Sequence, residues 1–157
     1  GPSGLLTGKT LAIKDNVCIA GVPPTSGSSA LDGYTPEIDA TVVTRIFNAG
    51  GTTLGEAVCE NFCSTRGSHT SDPGLVRNPH DQSRMAEDSS SGSAALVAAS
   101  KIDMVIGGDQ GGSIRMSSCW CGIYGVKPTY GFVPYTEIAP IELTIDHSGP
   151  LARTVLM

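Results

Sequence analysis

A glycine-rich run, GGDQGGSIR, carries the residues of this chain best suited to chemistry. Four glycines lie between Gly107 and Gly112, and the hydroxyl of Ser113 follows them directly. Glycines permit positive φ and leave room beside the backbone, so successive N–H groups can converge on an anion. An acyl-transfer site needs that arrangement: fixed donors for an oxyanion, with a nucleophile beside them. Upstream, Ser89, Ser90, Ser91 and Ser93 open a small-residue helical run from Ala94 to Ser100, which leads through the apolar segment Met104 to Ile106. The plainer reading of Ser113 is a capping serine in a glycine-rich turn.

A nucleophilic serine needs a base. The three histidines, His69, His80 and His147, stand in separate, loop-like contexts. None is excluded by its place in the chain, because triads assemble in space and in any order. The other candidate is Lys14, at the end of the apolar run TLAIKDN. An ammonium in a dry pocket gives up its proton more readily, so a strand-end lysine can act as base, and Ser-Lys catalysis is a known variant of the triad.

Six blocks, TLAIKDN, DATVVTRI, SSSGSAALVAA, GGDQGGSIR, CGIYGVKPTYG and DHSGPLARTV, stand in the same order as in the amidase signature family, which the chain resembles over nearly its whole length. GGDQGGSIR and VPYTEIAPIELTIDH are most similar to the amidases of simple aliphatic and aromatic amides, and less similar to the amidotransferase subunits that work with transfer RNA. The resemblance implies a Ser-Ser-Lys triad with Ser113 as nucleophile, Ser89 as bridging serine and Lys14 as final base; the 24-residue interval between the two serines matches the family. Ser89 would take the proton of Ser113 and pass its own to neutral Lys14, then return a proton to the leaving amine. The N–H groups of Gln110, Gly111, Gly112 and Ser113 would form the oxyanion hole. In the family Asp146 and His147 form a structural pair.

The chain also departs from the family pattern. Glu87 and Asp88 replace two glycines before the bridging serine, Ser117 replaces a proline, Glu137 a glycine and Glu56 a common lysine. The family enters its bridging serine through a cis peptide, which costs about 3–4 kcal/mol for a non-proline residue. The expected function is hydrolysis of a carboxamide to acid and ammonia through an acyl-enzyme. Two alternatives stay open: a catalytically impaired amidase-like binding or assembly protein, favoured by Glu87 and Asp88, and an A-type component of an amidotransferase. Hydroxyl, relay and backbone donors fill every role, so no cofactor and no metal are expected.

Composition narrows the partners. The formal charge is −5, with only 10 Lys and Arg and no basic cluster, which argues against nucleic-acid binding. No apolar run approaches the roughly 20 residues that span a membrane, and no secretory signal opens the chain. The expected partner is a small-molecule amide, with homodimerisation open. The five cysteines are odd in number and neither Cys59/Cys63 nor Cys119/Cys121 has zinc-finger spacing, so free thiols in the cytoplasm are expected. Gly8-Lys9-Thr10 fails as a phosphate-binding loop, because the glycine required five residues earlier is Ser3 and the segment precedes a strand.

The positioning elements follow from periodicity. Thr10 to Lys14 predicts a strand. Asp39 predicts an N-cap for a helix of about three turns, with Val42, Val43, Ile46 and Phe47 at helical spacing and Gly50-Gly51 as its stop. Thr52 to Leu54 predicts a second strand, and the alternation favours α/β. Glu60, Asn61, Phe62 and Cys63 stand near the family's substrate pocket, although Phe62 and Cys63 equally suit a core. Residues 67–88 read as loop, Ser93 to Ala99 as helix, Cys119 to Val126 as strand, and Asp146-His147 as preceding a Gly-Pro turn. The predicted fold is α/β, a mixed central β-sheet sandwiched by helices in a partial amidase-signature fold, with 1–157 as a single core segment.

Overall fold

The computed structural model describes residues 4–155. The predicted first strand forms as β1 (Thr10–Lys14), and its side chains alternate between two helical layers. Leu11 and Ile13 pack with Val42, Val43 and Ile46 of α1 (Thr41–Asn48). Ala12 points the other way and packs with Val97 of α2 (Ser91–Ala98). This period-two alternation buries both faces of the strand and puts Lys14, an even position like Ala12, on the α2 side.

The sheet has five strands in the order β2-β1-β5-β7-β6. β2 (Thr52–Ala57) and β5 (Met104–Asp109) flank β1 and run parallel to it. β7 (His147–Ala152) pairs antiparallel with β5, and β6 (Tyr124–Gly125) pairs antiparallel with β7. The sheet is therefore mixed, with helices on both faces, as the sequence predicts. β5 repeats the alternation of β1: Met104 and Ile106 join the α1 side, and Val105 the α2 side.

Five local expectations are corrected. Asp39 does not cap α1; its carboxylate accepts from the Ala20 N–H at 2.8 Å, and Ala40 stands at the cap. The helix has eight residues, about two turns, and ends ahead of Gly50, whose φ is +84°. Residues 67–88 are not all loop, because β3 (Arg77–Asn78) and β4 (Asp81–Met85) form an antiparallel hairpin. β4 is mostly polar and exposed, so it offers no hydrophobic alternation to read. Cys119 to Val126 is not one strand: α3 (Arg115–Trp120) occupies its start, and only Tyr124 and Gly125 pair with β7. Gly149 and Pro150 lie inside β7 rather than in a turn.

Candidate active site

Lys14 stands at the C-terminal end of β1 and is fully buried. Its Nζ donates to the Ser89 Oγ at 2.7 Å. Ser89 lies just ahead of α2, on the sheet face toward which Lys14 projects, so strand and helix start fix the pair from opposite sides. Ser90 donates to the Gly108 carbonyl at 3.1 Å and Ser148 to the Gly107 carbonyl at 3.3 Å. These two hydroxyls tie the last turns of β5 to α2 and β7. Ser89, Ser90, Ser91 and Ser93 are all fully buried, so the serine cluster is an interior feature.

Ser113 follows β5 on a loop held by one carboxylate. Asp109 is 1 % exposed and accepts from the N–H groups of Ile114 and Arg115 at 3.2 and 3.3 Å. The Arg115 guanidinium completes a two-pronged ion pair with it, at 3.0 and 2.9 Å. Burial raises the Asp109 carboxyl, but the Arg115 and backbone hydrogen bonds outweigh it, so the net shift is downward. Among the described residues no hydrogen bond within the chain engages the N–H groups of Gly111, Gly112 or Ser113. Gly111 and Ser113 face a cavity of about 260 Å³, together with Cys63, Asp88, Ile141 and Ile145. Gln110 also lines this cavity and donates from Nε2 to the Tyr135 hydroxyl at 2.8 Å.

The hydroxyl of Ser113 donates to Asp88 Oδ1. The same oxygen accepts from the Ser89 N–H at 2.8 Å, so one carboxylate stands between the two serines. Gly112 makes room for it: a Cβ there would lie 3.3 Å from Asp88 Oδ2 and 2.6 Å from Met116 Sδ. The cis peptide implied at Ser89 is absent, since no peptide among the described residues is cis. The chain instead turns through Asp88 itself, with φ +67°. Its backbone is held by an N–H bond to the Arg66 carbonyl at 2.9 Å and by the Ser91 N–H, which donates to its carbonyl at 3.1 Å. Glu137 likewise stands at a family glycine and has φ +58°. Two of the three acid-for-glycine positions, Asp88 and Glu137, thus keep a glycine-like backbone, whereas Glu87 does not have a positive φ. Ser117, at a family proline, donates its hydroxyl to the Glu87 carbonyl at 2.6 Å and ties α3 to the segment entering Ser89.

None of the histidines enters this cluster. His80 Nε2 pairs with the Cys121 carbonyl at 2.9 Å and His147 Nδ1 with the Ile145 carbonyl at 2.7 Å, while His69 is exposed. The structure therefore brings together Lys14, Ser89, Ser113 and Gly111 and adds Asp88 at their centre. Sequence reasoning missed the Ser113–Asp88 bond and the Asp109–Arg115 brace. The latter had a signal: an acid between two glycine pairs, with an arginine six residues on. Of the segment 60–63, Cys63 lines the cavity, whereas Glu60 is buried and accepts from the Thr65 hydroxyl; its burial pushes the carboxyl up to about 7.

A mixed α/β sheet with a buried lysine and two serines gathered at the ends of its parallel strands defines the class of site. A family described as Amidase matches residues 1–156, and the chain belongs to that family. It is similar to an enantioselective amidase of Rhodococcus rhodochrous, 55% identical over 154 residues, covering 97% of this chain and 29% of the relative. The A-type component of the glutamyl-tRNA(Gln) amidotransferase of Haloarcula marismortui is 43% identical over 152 residues, covering 97% of this chain and 36% of the relative. The crystal structure of the corresponding A-type component of glutamyl-tRNA(Gln) amidotransferase from Thermotoga maritima matches with a TM-score of 0.94 at 36% identity, covering 99% of this chain and 34% of that one. The chain spans about a third of the length of these relatives. Among the described residues no helix is long and apolar enough to cross a membrane.

Proposed function

We propose that this chain carries the catalytic centre of an amidase that hydrolyses a carboxamide to a carboxylic acid and ammonia through an acyl-enzyme on Ser113. The observation that carries this reading is the buried 2.7 Å hydrogen bond between Lys14 and Ser89, with Ser113 beside it on the Asp88 oxygen that also accepts from the Ser89 N–H. In the proposed reaction Ser113 turns its hydroxyl from Asp88 to Ser89. As its oxygen attacks the amide carbonyl, its proton passes to Ser89, whose own proton passes to neutral Lys14. The N–H groups of Gly111, Gly112 and Ser113 are free within the chain to receive the oxyanion, with Gln110 as the fourth proposed donor. Collapse of the tetrahedral intermediate expels the amine, protonated through the same relay, and water then releases the acid.

The Ser113–Asp88 bond favours a second reading, an amidase-like chain with impaired catalysis. A hydroxyl held by a carboxylate must give up a charge-assisted hydrogen bond, worth about 1.5–3 kcal/mol, before it can face Ser89. The test is ammonia release from simple aliphatic and aromatic amides, with glutamine in parallel. Release from the simple amides is the expected result. Release from glutamine alone would support the amidotransferase reading, and no release would support the impaired one.

A further inference from the structure

The wall of the Ser113 cavity contains a thiol that amide hydrolysis does not use. Cys63 lines the cavity and is 6 % exposed; Cys59, one tight turn earlier, is fully buried. The turn is closed by the Cys63 N–H, which donates to the Glu60 carbonyl at 3.0 Å, and Cys63 has φ +57°. Both thiols are free. Cys59, Lys14 and Ser89 are the polar side chains that act on the Cys63 thiol. It therefore neighbours a second thiol as well as the buried Lys14 amine and Ser89 hydroxyl of the proposed catalytic cluster.

We propose that Cys63 is a peroxide-reactive modification site in the wall of the amide pocket, with Cys59 as its resolving thiol. Reactivity follows from thiolate character combined with access; the cavity gives Cys63 its access, and its neighbours favour the thiolate. The Cys59 thiol, aided by Lys14 and Ser89, draws the Cys63 thiol well below its ordinary value against the opposing effect of burial. Cys59 is pushed up, by Cys63 first and by burial next, so it keeps its proton until Cys63 has reacted. A small oxidant such as hydrogen peroxide can enter through the cavity.

In the first step the Cys63 thiolate attacks one peroxide oxygen. The S–O bond forms as the O–O bond breaks, and the departing hydroxide takes up a proton and leaves as water. The Cys59 sulfur then attacks the sulfur of the Cys63 sulfenic acid. The S–S bond forms, the S–O bond breaks, and the hydroxyl leaves as water with the Cys59 proton. Two thiols lose two electrons and two protons, and one peroxide becomes two waters.

The exposed thiol of Cys119 is an internal reference in the same chain. The native protein would be treated with hydrogen peroxide, its remaining thiols alkylated, and its peptides followed by mass spectrometry. Cys63 should be consumed about tenfold faster than Cys119, appearing as a Cys59–Cys63 disulfide that dithiothreitol reverses. Lys14→Met should slow this oxidation. In Cys59→Ala the sulfenic acid should persist and be trapped by dimedone. An intact Cys63 after Cys119 has been consumed would overturn the site. A Cys63 sulfenic acid that persists beside an intact Cys59 would overturn the resolving role. Ser113→Ala should leave the oxidation unchanged, so this outcome is separate from the fate of the amidase reading.

Discussion

Lys14 and Ser89 are held in a different way from Ser113. Lys14 ends the middle strand of a parallel trio, and Ser89 stands directly before a helix packed on that strand. Their bond at 2.7 Å is a product of layer packing, which a single nearby substitution does not dissolve. Ser113 sits on a loop braced by Asp109 and Arg115, and one foreign side chain, Asp88, is enough to take its hydroxyl. The proposed base half of this site is fixed by secondary structure, and the proposed nucleophile half by a few hydrogen bonds. Substitutions at Glu87, Asp88 and Ser117 therefore act mainly on the second half, although the first two precede Ser89 in sequence.

The sharpest way to break this comparison is to remove the base half. Ser89→Ala or Lys14→Met should each lower amide turnover by about 10³-fold or more, and the double variant should be little worse than either single one. Additive losses would mean that the two residues do not act as a unit. A smaller loss should come from the brace: Arg115→Ala leaves buried Asp109 without its guanidinium and lets the loop shift. Turnover should fall roughly 10- to 100-fold, while the peroxide reactivity of Cys63 on the base side stays as it was.

The smallest effect concerns the strand beside β1. Glu56 is pushed up to about 8 by burial first and by Asp15 second, from an ordinary value of 4.5. Between those values it is protonated in the fold and ionised in the unfolded chain. The stability it contributes is fully present below about 4.5 and is lost as pH rises through about 8. Glu56→Gln should raise Tm by about 2–4 °C at pH 8 and change it little at pH 4. An equal rise at both pH values would assign the effect to packing instead.

The sequence discloses these halves unequally, for physical reasons. β1 is legible because an apolar run bounded by turn residues has one good use, and its predicted bounds match the strand. α2 is legible through its small helix formers, although it begins two residues before the predicted start. β4 is hidden because its residues are polar, and α3 because its start is set by the Asp109 carboxylate, which no local periodicity reports. The proposed site residues Lys14, Ser89 and Ser113 stand in motifs that the sequence displays. The Asp88 bond is not, since it depends on a left-handed backbone that points a carboxylate across to a loop 25 residues away.

Asp88 is where the account is most exposed. The most direct test is the rate at which a fluorophosphonate labels Ser113, with the adduct located by mass spectrometry, in the protein as it stands and in Asp88→Gly. Removing the carboxylate frees the hydroxyl to face Ser89, and the rate should rise about tenfold, equivalent to roughly 1.4 kcal/mol. Equal rates in the two proteins, or an adduct on a residue other than Ser113, would contradict the account.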